Sequence, residues 1–190
     1  MEQWSLSLDS WIIQDGNYPD FESGQHAEFA VEFDFPEPPE LTDQVAPRAR
    51  LADGASYEIT GRVMAIAEKA WVLDCGIGVY QDQPRPPGVA VGDMVCGIAN
   101  LRVDPFPYFE RLHAFAGMPP LIYTWRIAEI SRQTAPFVGA GNALIRDPTK
   151  LGWLPLERTD AWHDDDGRAD YKLDCILLDV PPKRSSTTAI

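Results

Sequence analysis

The stretch from Glu28 to Phe35 constrains the fold most: Phe29, Val31, Phe33 and Phe35 alternate with the acids Glu28, Glu32 and Asp34. A period of two belongs to a β-strand, whose successive side chains point to opposite faces of a sheet. The spacing predicts one strand over 28–35, its aromatic face on a core and its three carboxylates together in water.

The same period recurs along the chain. Trp4, Leu6 and Leu8 oppose Ser5, Ser7 and Asp9, while the run Trp11, Ile12, Ile13 predicts a bulge or bend near Ser10 in a strand over Trp4–Ile13. Tyr57, Ile59, Val63 and Ala65 open another strand, with Gly61 at a bulge or close approach. Trp71, Leu73, Cys75, Ile77 and Val79 read as one strand from Trp71 to Tyr80, behind a hairpin tip at Glu68-Lys69-Ala70. Further strands are expected up to Val103, over Leu121–Gln133 and over Tyr171–Val180. Only between Pro105 and Gly117 does the period change: Phe106, Phe109, Leu112, His113 and Ala116 recur at helical spacing. Asp104 is a suitable N-cap, Pro105 a suitable first residue, and Gly117 with Pro119 and Pro120 a stop.

This pattern predicts a mainly β fold, an antiparallel small barrel or sandwich. From residue 56 the order of three strands, a short helix, a strand and a later strand is OB-like. The organisation expected is a single domain over 1–180. Within it, 1–47 form an acidic two-strand extension, 48–133 and 171–180 a barrel-like core, and 134–170 an irregular acidic insertion; 181–190 form a frayed tail. Pro36, Pro38, Pro39 and Pro47 predict an extended loop crossing the surface.

Charge narrows the function classes. The formal net charge is −13, and residues 1–47 hold eleven Asp or Glu and no Lys or Arg. Such a field repels phosphate backbones and anionic lipid and attracts cationic surfaces. Trp11, Tyr18 and Phe21 lie among these acids. Aromatic anchors within desolvated carboxylates suit a protein–protein interface. The sequence is therefore expected to encode a binding or inhibitory protein, antitoxin- or immunity-like, that engages a basic protein. The partner-binding residues expected are Asp15, Asp20, Glu22, Glu28, Glu32, Asp34, Trp11, Tyr18 and Phe21.

Two alternatives accompany that reading. One is an enzyme with an acidic site built from His163 and the acids Asp160, Asp164, Asp165, Asp166 and Asp170. The other is an OB-like single-stranded nucleic-acid binder stacking bases on Trp71, Tyr80, Tyr123 and Trp125. Neither has a motif behind it. Gly76-Ile77-Gly78 and Gly139-Ala140-Gly141 complete no phosphate-binding fingerprint. His26, His113 and His163 lack ligand partners at metal spacing, and the acidic run lacks the closing Glu of a calcium loop. No catalytic residue, metal or cofactor is expected. Cys75, Cys96 and Cys175 lie in apolar runs without a CxxC pair, which predicts reduced, shielded thiols. The start lacks a secretory pattern and no apolar run approaches membrane-spanning length, so a cytoplasmic protein is expected.

Overall fold

The acidic, proline-punctuated N-terminal third is a structural part of the body, because one of its strands closes a barrel. The computed structural model describes residues 2–141 and 143–185. In chain order these form β1 (Gln3–Asp9), α1 (Ser10–Gln14), β2 (His26–Phe29), β3 (Val31–Asp34), β4 (Glu40–Leu41), β5 (Arg48–Asp53), β6 (Ser56–Ile66), β7 (Trp71–Asp74) and β8 (Gly78–Gln81). They continue with β9 (Met94–Val103), α2 (Pro107–Glu110), β10 (Tyr123–Gln133), β11 (Phe137–Ala140), β12 (Ala143–Arg146), β13 (Trp153–Leu156) and β14 (Asp170–Leu177). Strand makes up 47% and helix 10%, so the mainly β expectation holds.

Five strands form the closed barrel. β9 pairs antiparallel with β3, β3 pairs parallel with β8 through Glu32 opposite Tyr80, and the hairpins β8–β7 and β7–β6 carry the ring round. β6 then returns to β9 over Ser56–Arg62. The ring therefore uses β3 where the sequence order suggested a later strand. Its short helix follows the fourth barrel strand of the segment beginning at residue 56. β10 and β14, expected in the barrel, belong instead to an open antiparallel sheet of order β13–β10–β14–β1, with β2 beside β10. That sheet joins the barrel where β1 meets β9, Ser7 opposite Arg102. One apolar cluster, with Leu6, Phe33, Trp71, Leu101, Trp125 and Leu173 among its members, runs through both sheets.

A second cluster lies outside the barrel wall. Tyr108, Leu112, Met118, Leu121 and Ile122 pack over Ala30, Val72 and Tyr80. β3, β7 and β8 are therefore covered on both faces, and Gln81 and Glu32 are buried with them. This explains a departure from the sequence reading: alternation assigns a face to water only when water reaches that face.

Other departures are local. The strand expected over Trp4–Ile13 ends at Asp9 and turns into the single helical turn α1. The strand expected over 28–35 breaks at Ala30, where the chain leaves β10 for β9. The run Trp71–Tyr80 is a hairpin turned at Cys75-Gly76-Ile77, where Gly76 holds φ 114, a value that disfavours any side chain. Gly61 is the close approach expected, since a Cβ there would stand 3.2 Å from Leu73 Cβ. The helix expected over 105–117 shrinks to α2 and a 3₁₀ turn at Leu112–Ala114, because Phe106, at φ 86, delays its start and Arg111, at φ −140, interrupts it. Its ring is held edge-on to Tyr18 at 5.7 Å and against Phe109 at 4.7 Å. The insertion contains β11–β12 and β13, the last paired with β10. Of the tail, Lys183 makes paired backbone bonds with Ile122 and Arg184 donates to the Met118 carbonyl; 186–190 lie outside the described residues.

All three cysteines are free thiols. Cys75 and Cys175 are buried, and burial pushes both thiols up, Cys75 to about 12. Cys96 on β9 is only half-buried, which corrects the expectation of three equally shielded thiols. A disulfide reagent should therefore modify Cys96 in the native protein, with Cys75 and Cys175 following only on unfolding. Mass mapping of labelled peptides with time checks the order; early labelling of Cys75 or Cys175 contradicts it.

Candidate partner-binding surface

The nine residues expected to bind a partner do not form one patch. Glu28 is exposed on β2 and pairs with Lys183 at 2.6 Å. Glu32, on the far side of the Ala30 break, has a side chain only 6% exposed and pairs with Arg102 at 2.8 Å. Asp34 is half-buried and accepts from Gln81 at 3.4 Å. Glu28, Glu32 and Asp34 therefore do not face water together. The strand changes partner between them, and the second apolar cluster and Arg102 cover Glu32.

The remaining six divide similarly. Phe21 is buried, and Tyr18 lies half-buried against Phe21, Phe29 and Phe106, so both serve the core. Asp20 ties the N-terminal loop to the insertion, accepting from the Thr159 hydroxyl at 2.8 Å and the Ala161 amide at 3.0 Å. Trp11, Asp15 and Glu22 are exposed, with the Trp11 indole donating to Asp9 at 3.2 Å.

The exposed acids that lie together belong to the strap 36–47. Glu37, Glu40 and Asp43 are exposed, and none makes an ion pair with a described residue. Between and after them stand Leu41, 60% exposed, and Val45, 82% exposed. Beside them Ile98 is exposed on β9. Sequence reasoning took this segment only as a connecting loop. The missed signal was Leu41 directly after Glu40 and Val45 two residues after Asp43, in a segment too proline-rich to bury them.

The strap is held along its length. The Phe35 ring lies over Gly97, where a Cβ would come within 3.1 Å of it, and stacks on Trp71 at 6.2 Å. Glu40 and Leu41 pair with Cys96 and Val95. The Thr42 amide donates to the Met94 carbonyl at 3.0 Å, Thr60 to the Gln44 side chain at 3.1 Å, and Arg62 to the Val45 carbonyl at 3.3 Å. Two shallow depressions of about 260 and 280 Å³ flank it, one floored by Thr60, Cys96 and Ile98 and the other by Leu41, Asp93 and Met94. A surface already fixed in shape loses little entropy on association.

The residues of the two alternatives are placed differently. Trp71, Tyr80 and Trp125 are wholly buried and Tyr123 nearly so, which withdraws them from base stacking. In the acidic run, Asp164 accepts from the Tyr171 hydroxyl at 2.9 Å, the Asp160 amide at 3.0 Å and Arg132 at 3.2 Å. Arg146 pairs with both Asp165 and Asp170, and its guanidinium lies 3.8 Å over the Phe137 ring. His163 meets Asp160 at 2.8 Å and holds that carboxyl below its ordinary value. These carboxylates close the insertion onto β14 with their charge answered by arginine. Among the described residues no group of three or more His, Cys, Asp or Glu is arranged to hold a metal ion, and no helix is long and apolar enough to cross a membrane.

Comparison of the chain with protein-family models, with curated proteins and with solved structures returns no match.

Proposed function

We propose that this is a binding protein of the antitoxin or immunity kind, which engages a basic protein in the cytoplasm through the strap 36–47. The observation that carries the reading is the anchored row of Glu37, Glu40 and Asp43, unpaired among the described residues and interleaved with exposed Leu41 and Val45. Leu41 and Val45 gain from burial of their apolar surface on contact, and the carboxylates around them steer a cationic partner and select against acidic ones. The surrounding net charge of −13 acts in the same direction over longer range.

The test uses the full chain and its Glu37→Lys, Glu40→Lys, Asp43→Lys triple variant as paired baits in lysate of the source cell. Because the three side chains touch water, the variant should keep its stability to within about 1 kcal/mol. The wild type should capture a basic protein at low salt, and the variant should not. Capture of an acidic protein, or equal capture by both baits, contradicts the proposal.

A further inference from the structure

We propose that the cleft between the barrel and the open sheet is a binding site for a neutral sugar or similar polyol. The cleft holds about 310 Å³, at the small end of the roughly 300–1,000 Å³ typical of ligand pockets. It forms where β1 crosses from β14 to β9, so the polar faces of both sheets converge there: Ser7 opposes Lys172 on one side and Arg102 on the other. Trp153, 38% exposed on β13, walls it; the indole edge lies 3.9 Å from where a side chain on Gly54 would begin, in the β5–β6 turn.

The lining retains both donors and acceptors. Arg102 uses its Nε on Glu32, and its terminal nitrogens have no partner among the described residues. Asn100 accepts from the Ser56 hydroxyl and keeps its amide hydrogens. Asp9 accepts one bond, from Trp11, and Asp34 one, from Gln81, each leaving acceptor positions open.

Charge then selects the ligand. Arg102 and Lys172 are answered by Glu32 and by Asp174, the latter 3.4 Å from the Lys172 ammonium, and Asp9 and Asp34 add two further carboxylates. An anion meets more negative than positive charge. An organic cation meets Lys172, which stands 5.6 Å over the Trp153 ring where a cation would sit. An apolar ligand would take the half-buried polar groups of the lining out of water without partners. Hydroxyl groups both donate to Asp9 and Asp34 and accept from Arg102 and Asn100, while the part of the Trp153 indole that Lys172 leaves uncovered offers an apolar wall to the C–H groups of a sugar ring.

The test is a ¹H–¹⁵N NMR titration of the full chain, following the Trp153 indole N–H, assigned with Trp153→Phe, and the Asn100 side-chain amide. The probes are D-glucose, D-galactose, D-mannose and N-acetyl-D-glucosamine, each into the tens of millimolar, with inorganic phosphate and putrescine as charged comparators. At least one sugar should give saturable shifts at both groups, and Trp153→Ala should weaken its binding about tenfold. Asn100→Ala, which leaves the aromatic wall intact, should weaken it as well. Four sugars without effect on either group, or saturation by phosphate or putrescine in their place, overturns the proposal.

Discussion

Glu32→Lys is expected to destabilise the protein by about 4 kcal/mol, while Glu28→Lys, four residues earlier, changes stability by less than about 1 kcal/mol. Glu32 is the buried partner of Arg102, so its reversal places a second cation beside that guanidinium at a position only 6% exposed. Truncating one member of a buried pair costs about 3–5 kcal/mol because the other charge is stranded. Arg102 is 38% exposed and recovers some hydration, which places Glu32→Gln lower, near 2 kcal/mol. Glu28 is half-exposed, and its pair with Lys183 is of the screened surface type. Urea midpoints of the three variants at one pH measure the contrast. Similar midpoints for Glu28→Lys and Glu32→Lys would place both carboxylates in water, contrary to the barrel described.

The second large effect concerns Asp104, buried beneath the second apolar cluster and without an ion-pair partner among the described residues. It accepts from the Tyr80 hydroxyl and from the Tyr108 and Phe109 amides at 3.4 and 3.3 Å. Burial raises its carboxyl from 3.8 to about 6, against the lowering by those bonds. In the unfolded chain the group ionises near its ordinary value. Asp104 therefore contributes its full stability below about pH 4 and loses it as pH rises through 6. At about 1.4 kcal/mol per pH unit, the loss is of the order of 3 kcal/mol. Asp104→Asn keeps an acceptor for Tyr80 and removes the titration. The stability of the wild type relative to that variant should fall by about this amount between pH 4 and pH 7. Parallel stability curves across that range would contradict the assignment.

These two residues also show what the sequence made legible. The periodicity of Phe29, Val31 and Phe33 placed all three in a core correctly, because a side chain's face follows from local backbone geometry alone. It concealed the break at Ala30, since alternation continues in phase while the strand changes partner. The same continuity hid the hairpin inside Trp71–Tyr80, where Leu73, Cys75, Ile77 and Val79 stay in phase across the turn and only Gly76 marked it. Glu32 read as solvent-facing because the layer covering it comes from residues 104–122, a distant packing that no window around Glu32 contains. Ring closure depends on the non-local parallel contact of β3 with β8 and was illegible for the same reason. Asp104 was read as the N-cap with Pro105 as first helical residue; the N-cap is Phe106 and the helix starts at Pro107, although the Asp104 carboxylate still accepts from the first-turn amides of Tyr108 and Phe109. The strap was legible as an extended, acidic, proline-rich segment. Its role as an anchored surface was not, because Phe35 over Gly97 and Thr60 on Gln44 are tertiary contacts.

The strap lies along the Met94–Ile98 end of β9, and the cleft opens at the Asn100–Arg102 end of the same strand beside β1 and Trp153. Glu37, Glu40 and Asp43 line neither the cleft nor the core, so they can be altered while both are kept.

The association rate of the captured partner with the full chain, measured by stopped flow across a salt series, tests the central claim most directly. Steering acts over a screening length of about 8 Å at physiological ionic strength, so the wild-type rate should fall steeply with added salt. The triple variant of Glu37, Glu40 and Asp43 should associate at least about tenfold more slowly at low salt and show a shallower salt dependence, since the chain keeps a net negative charge. Equal rates for the two proteins, unaffected by salt, would contradict binding through the acidic strap.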